Sequence, residues 1–154
     1  MKSILVIFSL ALFAVSVAGQ EVNKLYDPIL AKTLGADDYG MKSYIFVLLK
    51  SGSNNLGKGS VRDSLIAGHL KNIGRLADSG KLVIAGPMLE VNPMSYRGIF
   101  VLNVTTLEEA KTLLQTDPAI KEKIFEAELY KWYGPAALPV YLITQDKIHT
   151  HKYR

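Results

Sequence analysis

His69 stands among apolar residues in the stretch AGHLKNIGRLADSGKLVIAGPM, Ala67 to Met88. Imidazole changes charge near neutral pH, so a histidine lining a cleft can take up and return a proton. The other reading is a core histidine hydrogen-bonded to a backbone carbonyl. Asp117 directly precedes Pro118. By itself that dipeptide marks a helix start, with aspartate as N-cap and proline at the first helical position. Arg97 either binds an anionic group of a substrate or is a solvated arginine at a strand end. Trp132 and Tyr133 suit the wall of a small-molecule site or an interface. His149 and His151 form an HxH without the further ligands that a metal centre needs, so no metal is expected. The glycines of GSNNLGKGS lack phosphate-loop spacing. Neither Ser79 nor Ser95 sits in a nucleophile motif. No organic cofactor is expected.

The surrounding elements decide where these groups point. At about 100° per residue, Leu65, Ile66, His69, Leu70, Ile73, Leu76 and Ala77 share one arc of a helix running from Val61 to Ser79. Asp63, Lys71, Asn72, Arg75 and Asp78 fall on the other arc. His69 is therefore expected to face a sheet. Gly80 ends this helix. SYIFVLLK (43–50), KLVIAGP (81–87), YRGIFVLNV (96–104) and FEAELYKWY (125–133) read as strands, several of them apolar on both alternating faces. Thr106 opens a second helix with Glu109 at capping-box spacing. SGSNNLGKGS reads as a flexible polar loop. The order is β-α-β-β-α-β, an α+β split βαβ unit of ferredoxin-like type with a four-stranded antiparallel sheet.

The ends carry a different signal. Lys2, an apolar run from Ile4 to Val17 and the small residues Ala18 and Gly19 have the layout of a secretory signal peptide. The run is too short to span a bilayer of about 30 Å, so no stable membrane anchor is expected after cleavage. Segment 20–42 is a leader that packs as a short helix or stays mobile. The domain spans 43–138, and 139–154 is a tail. The protein is expected to be exported, periplasmic or secreted. The chain contains no cysteine, so its core must suffice without disulfides. The formal charge of +4 is small and scattered, and no basic stripe interleaved with aromatics argues for nucleic acid.

Two helices cover one face of a four-stranded sheet. Apolar residues on the other face imply an interface, hence a homodimer. The helix histidine, the AGP after the second strand, TDPAI and the terminal WYGPAAL together resemble the YCII-related (YciI-like) family over Ser43 to Leu138. That resemblance implies ferredoxin-like subunits paired as a dimeric α+β barrel, and it pairs His69 with Asp117 in a cleft. It also implies a small-molecule enzyme, lyase-like or isomerase-like, in which Asp117 orients the histidine. One relative is a dehydrochlorinase of chlorinated hydroxyquinols, and the histidine has also been read as a phosphohistidine. Two further functions remain open: a non-catalytic module binding a small apolar or aromatic ligand, and a purely structural dimer.

Overall fold

The structure, a computed structural model, describes residues 23–148 and Thr150. The expected signal peptide and the HxH of His149 and His151 lie outside the described residues. The leader forms a short helix, α1 (Pro28–Leu34), capped by the Asp27 carboxylate and closed by Gly35 in the left-handed region. There follow β1 (Met41–Ser51), α2 (Ser60–Asp78), β2 (Leu82–Pro87), β3 (Tyr96–Leu102), α3 (Leu107–Leu114), α4 (Pro118–Lys121) and β4 (Phe125–Pro135). A 3-10 turn (Leu138–Tyr141) and α5 (Leu142–Ile148) complete the chain. The strands are ordered β2-β3-β1-β4 and every pairing is antiparallel. This is the ferredoxin-like α+β arrangement. Among the described residues no helix is long and apolar enough to cross a membrane.

Alternation along β1 divides the core. Ile45, Val47 and Leu49 pack with Leu76 of α2 and with Ala110 and Leu114 of α3. Tyr44 belongs to a second cluster with Val83 and Val101, on the other face. That face is not bare within the chain. Leu138, just past β4, packs on the second cluster, and the Tyr141 hydroxyl donates to the Val83 carbonyl. The tail expected after Leu138 thus begins as part of the folded body.

Two local features shape the site. The β1–β3 register runs Leu49↔Gly98 and then Lys50↔Tyr96, which leaves Arg97 unpaired in a β-bulge. The loop after β1 is also tied down at its start. Gly52 and Asn54 donate their backbone N–H groups to the carbonyls of Ile124 and Lys123 at 2.9 and 3.0 Å. A Cβ at Gly52 would lie 2.1 Å from the Lys123 carbonyl oxygen, so this close approach needs glycine. The expected capping box forms only by half. Thr106 accepts from the Glu109 N–H, while the Glu109 carboxylate meets Lys81 Nζ at 2.8 Å.

Candidate active site

His69 projects from α2 onto the sheet, where its ring lies against Phe100 of β3 (centroids 5.9 Å apart) and Phe125 of β4 (5.1 Å). Its Nδ1 is 2.6 Å from Oδ2 of Asp117, in the break between α3 and α4. The residues are 8% and 1% exposed. A carboxylate accepts only, so Nδ1 carries the hydrogen and Nε2 is left as the basic nitrogen. Asp117 divides its oxygens between two tasks. Oδ2 faces the histidine, while Oδ1 accepts from the backbone N–H groups of Ala119 and Ile120 at 2.9 and 3.3 Å. The helix cap therefore fixes the carboxylate that fixes the imidazole. Asp117 is both N-cap and histidine partner.

Local packing explains why the two elements meet so closely. A Cβ on Gly68 would lie 2.6 Å from Cγ of Pro118, so the residues beside His69 and Asp117 are in contact through the missing side chain. One turn along α2, Asn72 is buried and its Oδ1 accepts from Arg75 Nη2 at 2.8 Å and from Thr116 Oγ1 at 3.0 Å. Arg75 Nη2 also donates to Thr116 Oγ1 at 2.7 Å. This polar staple clamps α2 to the residue before Asp117. The wheel placed Asn72 on the solvent arc. It missed the staple because α4 comes from a break in the following helix and covers that side of α2.

His69 opens into a pocket of about 680 Å³ between α2, β2 and β3. Leu70, Ile73, Leu82 and Phe100 give it apolar walls, Arg97 stands at its rim, and Tyr141, Leu142 and Gln145 of the tail contribute another side. The size suits a small molecule. Among the described residues no group of histidine and carboxylate side chains is placed to hold a metal ion.

The model of the YCII-related domain matches residues 44–132, more than half of the chain. The chain belongs to the YCII-related family. No curated protein matches it. Among solved structures it is similar to 5-chloro-2-hydroxyhydroquinone dehydrochlorinase from Burkholderia phenoliruptrix AC1100, in complex with 2,5-dihydroxybenzoquinone. That likeness is 20% in sequence, with a TM-score of 0.41, over 57% of this chain and 92% of the other.

Against this YCII-related frame, His69 and Arg97 line one pocket, Asp117 does not line it but lies buried behind His69, and two other expected residues stand away from it. Trp132 lies on the opposite face of the sheet, its ring 5.7 Å from that of Tyr44 and folded over Gly134. Strand alternation separates it from the cleft. Tyr133 lies near the end of β4 and donates its hydroxyl to Asp37 of the leader, which pushes the phenol up to about 12. Neither lines the His69 pocket. Phe125, Phe100 and Tyr141 line it instead. The strand pattern carried a signal for Phe100, which alternates with the outward Val101, but none for Tyr141.

Proposed function

We propose that this YCII-related protein is a small-molecule enzyme of lyase or isomerase type, with His69 as the proton-transfer residue and Asp117 as its positioning partner. The observation that carries this reading is a buried histidine held through Nδ1, with Nε2 unpartnered among the described residues, in the wall of an apolar pocket. In such a step Nε2 takes a proton from the substrate, and the electron pair left behind forms a new double bond. A lyase step then expels a leaving group with its own electron pair. An isomerase step returns the proton at another atom. Asp117 lowers the energy of the imidazolium formed in between. Arg97 meets an anionic group at the rim.

The test starts with mass spectrometry of small molecules retained by the native protein, which supplies the compound to assay. His69→Asn should then cut turnover by roughly 10²–10⁴-fold and leave affinity for that compound largely intact. Equal turnover in both proteins would remove His69 from the chemistry. Binding without turnover in the wild type would favour the non-catalytic module.

The assembly in this reading is a homodimer that pairs the sheet faces opposite the helices as a dimeric barrel. On that face Tyr130 is 51% and Trp132 37% exposed, next to the half-buried Phe46 and Leu48. Trp132→Lys should give monomers by sedimentation, and a wild type that is monomeric at high micromolar concentration would rule the dimer out. The place of action in this reading is outside the cytoplasm. N-terminal sequencing of protein from its host should find a start near Gly19 or Gln20, and an intact Met1 on cytosolic protein would remove export.

A further inference from the structure

Beside the His69 pocket lies a second hollow of about 330 Å³ with a different chemistry. Its charged lining residues are Lys58, at the end of the β1–α2 loop, Arg62 in the first turn of α2, and Arg97 on β3. Among the described residues no carboxylate lines it. None of the three cations has a hydrogen bond or ion pair from its side chain among the described residues. Elsewhere some cations are partnered. Lys50 meets Glu128, Lys81 meets Glu109, and Arg75 is bonded to Asn72 and Thr116. Others, such as Lys71 and Lys111, stand alone in solvent among the described residues. What sets Lys58, Arg62 and Arg97 apart is that they surround one hollow. Three unpartnered cations around one hollow form a site of positive potential that an anion relieves.

The two hollows are continuous in their lining. Arg97 and Phe125 belong to both, and the Phe125 ring is also in contact with His69. The bulge makes this possible. In regular alternation Arg97 would share the outward face of Ile99 and Val101. The residue inserted at the bulge turns it to the helix side instead. The hydrogen bonds from Gly52 and Asn54 to the α4–β4 turn hold the start of the loop that ends in Lys58.

We propose that Lys58, Arg62 and Arg97 form an oxyanion subsite, so that the ligand of the His69 pocket is an apolar or aromatic molecule bearing a carboxylate or phosphate group. The apolar body lies against Phe100 and Leu70, passes Phe125, and sets its anionic end among the three cations. Guanidinium forks suit either oxyanion, since both present two oxygens in a plane. The subsite deepens the reading of the His69 pocket as a small-molecule site, and it does not depend on His69 being catalytic.

The test compares three probes with one ring: 2-naphthoate, 2-naphthyl phosphate and the neutral 2-naphthylmethanol, titrated calorimetrically against the full-length protein. At least one anion should bind on the order of tenfold more tightly than the alcohol, with an advantage that shrinks at high salt. The better anion identifies the headgroup. The double variant Lys58→Gln/Arg62→Gln should erase that advantage and leave the affinity of the alcohol unchanged. Lys71→Gln/Lys111→Gln removes the same charge from exposed positions outside the hollow and should leave the advantage in place. His69→Asn should also preserve it, even if catalysis is abolished.

Alcohol binding with no gain for either anion would overturn the subsite and leave the pocket reading standing. So would an anion advantage that survives the Lys58/Arg62 variant or is lost equally in the Lys71/Lys111 control. Failure of all three probes to bind would overturn both the subsite and the pocket as a site for ring compounds.

Discussion

The two faces of the sheet each hold a polar cluster assembled from distant parts of the chain. On the helix side His69 and Asp117 lie 2.6 Å apart at 8% and 1% exposure. On the other face Lys50 meets Glu128 at 3.0 Å, with the Tyr96 and Tyr130 hydroxyls donating to the same carboxylate at 3.1 and 3.2 Å. The second cluster has more partners but remains open to water, with side-chain exposures of 33% and 27% for the ion pair. Water competes for every group in it, so its net worth is small. The buried pair has no such substitute. Each atom it presents is met by the protein or left for a ligand, and Nε2 is the atom left.

The largest break in this comparison should come from Asp117→Ala. It removes a helix cap worth about 1 kcal/mol and orphans a buried donor at about 1–3 kcal/mol, for a total loss of roughly 2–4 kcal/mol in urea unfolding. Asp117→Asn keeps the cap and should recover part of the stability while any turnover remains impaired. A stability loss no larger than that of an exposed substitution would mean that the pair is not buried as described.

Gly68→Ala should come next. The added methyl meets Pro118, at an overpacking cost of about 1–3 kcal/mol, partly offset by roughly 1 kcal/mol of helix propensity. The sharper readout is geometric, because α2 and α4 must part to admit the methyl. The His69 Nδ1–H resonance in NMR, expected far downfield in the wild type, should weaken or move.

On the other face Glu128→Gln should have a smaller effect, present at neutral pH and fading on acidification. The hydrogen bond from Lys50 holds the Glu128 carboxyl below its ordinary value of 4.5, against the opposing pull of desolvation. A depressed carboxyl stabilises the fold above its unfolded pKa, and this contribution fades as pH falls through the folded value. The wild type should therefore lose stability on acidification below about pH 4.5 more steeply than the Gln variant, as followed by urea midpoints at several pH values. Parallel curves would show that the cluster contributes nothing.

The smallest effect concerns Tyr133 and Asp37. Their hydrogen bond raises the phenol to about 12 and, with the Met41 N–H, lowers the aspartate below 3.8. The raised phenol favours the folded state below its unfolded pKa, and that contribution disappears as pH climbs through about 12. Tyrosinate absorbance should contain one late-titrating phenol that returns toward 10 in Asp37→Asn. At neutral pH, where this contribution is present, stability should fall only slightly, because water screens so exposed a pair.

By itself the sequence determined the elements and the inward face of the histidine. Periodicity of 3.6 placed His69 on the apolar arc of α2, period 2 split β1 into two faces, and local chemistry marked Asp117 and Thr106 as caps. These are short-range properties, written in neighbouring residues. Pairing His69 with Asp117 needed the family resemblance, because their separation in sequence hides their contact. Tertiary structure alone decided the rest. Register at the β1–β3 bulge turned Arg97 to the cleft, and the edge of β2 received Tyr141 from the tail. The same alternation that placed Phe100 inward carried Trp132 to the far face once β4 had paired beside β1. A single residue of register reverses which face a side chain occupies, and no local pattern records a bulge.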